Sequence, residues 1–183
     1  MTLTTEDSTG MFPDMSEAIQ ELDYLVLWKK STGLPQIPGG EDEIAEPRRG
    51  IDPEFDKQND KVMEIKQRLS QYLEQIKSQL RRSWRNQRIQ QINSIKFAHT
   101  NFRRFEIEIP IDIVKGDKKP DELVLTSQKT GFQRFHSDRI KEFINQLEFE
   151  EDKLKDAIQP FVCAVFQRFY QNRKLWSPAV QVL

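Results

Sequence analysis

Between Lys77 and Arg104 every charged residue is a cation: Lys77, Arg81, Arg82, Arg85, Arg88, Lys96, Arg103 and Arg104. Further bases follow at Lys115, Lys118, Lys119, Lys129, Arg134 and Arg139. The whole chain nevertheless balances, with 28 basic and 29 acidic residues and a formal net charge of -1. Overall charge therefore selects no partner. One sustained basic stretch on a balanced chain is the electrostatic footprint of polyanion binding. The plainer reading is a solvated helix face, as most charge runs are. The sharpest local word is Gln128-Lys129-Thr130-Gly131-Phe132-Gln133-Arg134. It offers short polar donors, two cations, no acid, and a glycine that lets backbone approach closely. Such groups bind phosphate oxygens and read no bases.

Other chemistries find little support. His99 and His136 stand apart and suit polar sheet positions better than metal or acid/base duty. No glycine-rich phosphate loop, metal-ligand pair or nucleophile elbow is present. Carboxylates are scattered along helix faces, so no catalytic residue and no metal site are assigned. The single cysteine, Cys163, excludes an intrachain disulfide and lies in the apolar run Phe161–Phe166, which predicts a buried small hydrophobe. No stretch approaches ~18 consecutive apolar residues, and no signal peptide is visible, so no membrane partner is expected. Phe97, Phe102, Phe105, Phe132 and Phe135 could stack on single-stranded bases, but at strand spacing they predict a small core.

The elements that must position the basic stretch follow from periodicity. Ile95 to Phe135 alternates apolar and polar residues, the period of half-buried strands, with Phe105, Ile107 and Ile109 on one face and Arg104, Glu106 and Glu108 on an open polar face. The flanks have helical period. Asp52-Pro53-Glu54 opens a long helix with a cap and a proline at the first position. Phe55, Val62, Leu69 and Ile76 then recur every seven residues, with Ile65, Tyr72 or Leu73, and Leu80 in the second seam position. After the sheet, Ser137-Asp138 can cap a second helix with an apolar stripe at Ile140, Ile144, Leu147, Leu154, Ile158, Val162, Val165 and Phe169. Pro160 is expected to kink or restart it near Asp156. Upstream, Met15 to Trp28 reads as a short helix with Ser16 as its cap, and Leu34 to Gly50, rich in Pro and Gly, as a loop.

Four words in order carry a family resemblance: Phe12-Pro13-Asp14-Met15, Gly50-Ile51-Asp52-Pro53-Glu54-Phe55-Asp56, Arg104-Phe105-Glu106-Ile107-Glu108-Ile109-Pro110, and Leu125 to Phe135. The chain resembles the lever and clamp region of the MutS mismatch-repair proteins over about residues 12 to 183. It is most similar to the mismatch-recognising subunit of the eukaryotic MutSα heterodimer. The resemblance implies duplex DNA and a second MutS-type subunit as partners, and a nuclear location. It places Lys129, Thr130 and Arg134, with Gln128 as a neighbour, where a clamp hairpin touches the DNA backbone. Residues Ile37 to Glu46 read as an insertion relative to the family. The family's mismatch-reading motif, connector and Walker ATPase fall outside the chain. The resemblance therefore implies no enzyme activity and no cofactor here, with ATP and magnesium bound by the ATPase domain of the full-length family protein.

The expected fold class is α+β: an elongated antiparallel two-helix lever with a small antiparallel sheet at its tip. Its expected divisions are a disordered tail (1–11), a short lever helix (12–33), a linker (34–50), the outgoing helix (51–90), the clamp (91–136), the returning helix (137–176) and the start of a further helix (177–183). The expected function is sequence-independent contact with the duplex backbone, with Arg81, Arg82, Arg85 and Arg88 steering DNA toward the tip. The competing reading is a coiled-coil-like interaction module whose basic tip is only solvated.

Overall fold

The computed structural model describes residues 14–30, 43–85, 87–100, 103–114, 119–174 and 177, with the side chains of 28–30, 43 and 44 left aside. Readings that rest on Met1–Pro13, Ile37–Gly40, Phe102, Lys115, Lys118, Trp176 or 178–183 lie outside the described residues. The protein is α+β and divides into two compact units, Met1–Gln58 with Lys153–Leu183, and Asn59–Asp152. Two long helices, α2 (Pro53–Ser83) and α5 (Asp138–Gln171), contribute to both units.

In the unit of residues 59–152, α2 and α5 run antiparallel, because Lys61 reaches Glu150 while Tyr72 lies against Phe143 and Ser137. The seven-residue repeat predicts the buried face of α2 here. Val62, Ile65, Leu69, Tyr72, Ile76 and Leu80 are all buried, with Tyr72 rather than Leu73 in the seam. Ser137 caps α5: its Oγ accepts the Ile140 N–H at 3.3 Å and the Tyr72 hydroxyl at 2.9 Å. Burial raises the Tyr72 pKa, and the nearby Glu122 carboxylate adds to this against the opposing Ser137 and Arg139.

Between the helices stand α3 (Ile89–Asn93), β3 (Lys96–Ala98), β4 (Glu106–Pro110), α4 (Ile111–Val114), β5 (Val124–Lys129) and β6 (Phe132–His136). The strands form one antiparallel sheet in the order β3-β4-β6-β5. Ile107, Ile109 and Phe135 are buried with Ile92, Ile95, Ile113, Leu123, Ile140 and Leu147. Phe105 is not in the strand. It adopts φ 56 and packs edge-on to Phe97 and His99, so β4 begins one residue later.

The other unit holds α1 (Ser16–Leu25), β1 (Val26–Lys30) and β2 (Glu43–Pro47) with the start of α2 and the end of α5. Two expectations change here. Val26–Lys30 is a strand rather than the last turn of a helix, and Glu43–Pro47 pairs with it instead of lying in a loop. Val26 is buried and Leu27 exposed, the two-residue alternation of a strand. Ser16 is not the cap of α1. Asp14 Oδ1 accepts the Ser16 N–H at 2.9 Å, and Ser16 begins the helix. Downstream, Asp52 Oδ1 accepts the N–H groups of Glu54 and Phe55, and Asp56 accepts that of Gly50, whose φ of 89 suits glycine. The helix does not restart near Asp156: α5 spans 34 residues through Pro160, which lacks a backbone donor. Cys163 is exposed rather than buried. Phe161 holds the inward position, and a residue two further on is turned about 200° around the helix. Phe169 is likewise exposed.

Candidate nucleic-acid interface

The site lies in residues 59–152. β5 and β6 meet at a two-residue turn, Thr130-Gly131, since Lys129 pairs with Phe132. Gly131 takes φ 80, a backbone conformation that explains the glycine. Its carbonyl accepts the Ile111 N–H at 3.0 Å, tying the turn to α4. Gln128, Lys129 and Thr130 are exposed there. Among the described residues Lys129 has no acidic partner, so its ammonium is open to an anion.

Arg134 stands differently. Directly opposed residues of antiparallel strands share a face. The register therefore puts Lys96, Glu108, Arg134 and Ser127 in one row across the sheet. Arg134 Nε and Nη2 each lie 3.0 Å from Glu108 Oε2. The acids of this face are not open, as the alternation suggested, but buried: Glu106 is 1% and Glu108 8% exposed. Glu106 accepts the Thr126 hydroxyl at 2.6 Å and lies 3.5 Å from Arg103. A buried carboxylate persists where hydrogen bonds and a cation satisfy it, and both have these. Lys96, exposed and without an acidic partner among the described residues, is the cation of this face that residue types alone did not single out. Only the strand register reveals that it shares a row with Arg134.

The four arginines expected to steer also divide. Arg81 donates to Asn93 Oδ1 at 2.7 Å and approaches Glu74 at 4.0 Å. Arg88 stacks 4.8 Å from the Trp84 ring centroid and lies 4.0 Å from Asp112. Arg82 and Arg85 are exposed and have no acidic partner among the described residues. Beyond them, Arg104 makes a two-pronged pair with Glu151 at 2.7 and 3.0 Å, which raises its pKa and fastens the start of β4 to α5. His99 Nδ1 accepts the Phe105 N–H at 3.4 Å, and His136 Nε2 donates to the Arg104 carbonyl at 3.1 Å. Both histidines thus stabilise local backbone. Among the described residues no cluster of His, Cys, Asp and Glu is arranged to hold a metal, and no helix is long and apolar enough to cross a membrane.

A side-chain face of this kind can grip an anionic backbone. The family model described as MutS family domain IV matches residues 50–152, more than half of the chain. The chain is 22% identical over 174 residues to DNA mismatch repair protein Msh6 of Gallus gallus, covering 95% of this chain and 12% of that protein. It is 24% identical over 143 residues to DNA mismatch repair protein MSH6 of Saccharomyces cerevisiae, covering 76% and 10% respectively. The chain thus spans about an eighth or less of the length of these curated relatives. The matched residues include the whole β3–β6 sheet, both helix segments that pack on it and the glycine-aspartate turn that opens α2, and on that match the chain belongs to the MutS family.

Proposed function

We propose that this chain provides sequence-independent contact with the backbone of duplex DNA, as the clamp segment of a MutS-type mismatch-repair protein. The observation that carries the reading is the β5–β6 turn, where Lys129 is exposed and without an acidic partner among the described residues, beside the Thr130 hydroxyl and the Gly131 backbone. Lys129 and Thr130 are the contact residues, and Gln128 supports them. Arg134, held by Glu108, is a positioning residue that keeps β6 in register. By extension from the Msh6 relatives, the chain acts in the nucleus as part of a larger protein beside a second MutS-type subunit. The domain IV match contains no ATPase domain, and no ATP or magnesium step is assigned to these residues.

The test is equilibrium binding to labelled duplexes between low and physiological salt. Affinity should be indifferent to sequence and to a mismatch, and log K should fall linearly with log[salt], at about 0.9 per phosphate neutralised. Lys129→Ala should reduce that slope by about 0.9. Mismatch or sequence preference would contradict the reading. The competing reading, a helical interaction module, is favoured by the ion pairing of Arg81, Arg88, Arg103 and Arg104. Absence of duplex binding at low salt would favour it instead.

A further inference from the structure

The loop that ends α2 carries an unusual feature. Arg85 and Arg88 both adopt positive φ, 47 and 56, a conformation that disfavours any residue with a Cβ. Backbone strain of this kind persists where the surroundings over-determine it, and here they do. Trp84 Nε1 donates to the Ile113 carbonyl at 3.0 Å, and Arg88 covers the Trp84 ring. Successive turn bonds, Arg85 N–H to the Arg82 carbonyl and Gln87 N–H to the Trp84 carbonyl, then fix the corner. Its product is an outward Arg85 and a nearby Arg82, both without an acidic partner among the described residues.

The corner is also linked to the β5–β6 turn. Trp84 binds one end of α4 at Ile113, and Ile111, at the other end, donates to the Gly131 carbonyl. One turn of helix, ~6 Å long, is therefore the spacer between them. Adding the side chain and bond lengths along that path keeps the two backbones within roughly 30 Å. One turn of duplex is ~34 Å.

We propose that Arg82 and Arg85 form a second phosphate-binding element, and that this corner and the Lys129–Gly131 turn grip one duplex at two places less than a helical turn apart, with α4 as a rigid spacer. This rests on the proposed backbone contact, and it assigns Arg82 and Arg85 direct contact in place of steering. Trp84 and Arg88 are positioning residues for it.

The full chain carrying Arg82→Ala with Arg85→Gly tests the assignment. Glycine accepts the left-handed conformation at position 85, so the corner retains its backbone while losing its charge. Salt-dependent binding to a duplex and phosphate-ethylation interference are the readouts. Two clusters of interfering phosphates should appear, separated by fewer than ten base pairs. The corner variant should lose one cluster and about 1.8 of the salt slope, and Lys129→Ala should lose the other cluster and about 0.9. Arg82→Lys with Arg85→Lys should restore most of the slope. If the corner variant keeps both clusters and the full slope, and only associates more slowly, the arginines merely steer and the inference fails, while a Lys129 effect would leave the turn contact standing. If the unaltered chain shows no salt-dependent duplex binding, both readings fall together.

Discussion

Arg134 turns its guanidinium into the sheet, where Glu108 receives it from the neighbouring strand. Both side chains are largely covered, 19% and 10% exposed, so removing one partner strands the other's charge. Arg134→Ala should therefore lower unfolding stability by about 2–3 kcal/mol, less than a fully enclosed pair would lose. Replacing both, Arg134→Met with Glu108→Leu, should recover most of that loss in urea titrations. The double variant should also keep its DNA salt slope if Arg134 only positions β6. A slope lowered by about 0.9 would make it a contact residue. Residue types made the basic character of this region legible, and the turn glycine pointed to Lys129 and Thr130. They could not show which cations are neutralised, because that depends on cross-strand register. A one-residue irregularity between Leu125 and Ser127 changes the phase of β5, and no local pattern announces it. The same limit applies to Cys163. An apolar run does not say which of its members faces inward.

At the scale of elements, α2 was the most readable because its seven-residue repeat runs through several turns and every member is buried. Its capping by Asp52 and the capping of α5 by Ser137 were equally visible, since each rests on a short side chain beside its own helix. The β1–β2 pair was not. Leu25-Val26-Leu27-Trp28 is short and apolar, equally compatible with either period, and its partner strand begins only at Glu43. Pro160 shows tertiary context overriding local preference. Phe161 is buried, and Pro160, Phe161, Ala164 and Val165 line a shallow pocket with Leu25 and Ile51. The helix thus continues through a residue that disfavours it. Pro160→Ala should restore one backbone hydrogen bond and raise stability by about 1–3 kcal/mol, read as a higher urea midpoint with unchanged helical circular dichroism. A lower midpoint would mean that the proline ring itself fills a required position.

For the whole molecule, the two compact units differ in how much they bury. Among the described residues, Val26, Pro47, Phe55 and Phe161 are the buried apolar side chains of the unit that holds both chain ends, whereas the other unit has the α2 seam, the sheet core and the start of α5. Native-state amide exchange should therefore show β1, β2 and α5 beyond Lys153 opening at lower free energy than α2 from Asn59 and strands β4 and β6. Uniform protection across both units would show instead that they open together. A different consequence follows from β5, the last strand of its sheet. Val124 and Leu125 are 60% and 50% exposed on it, and an apolar edge of this kind is a template on which a second chain can add a strand. Two features blunt that template. The irregularity at Thr126 interrupts the regular row of backbone groups, and Arg103 Nη1 occupies the Thr126 carbonyl at 3.2 Å. Losing the Arg103 bond would therefore free one backbone acceptor next to the exposed Val124 and Leu125, a change in this edge that is separate from any grip on nucleic acid.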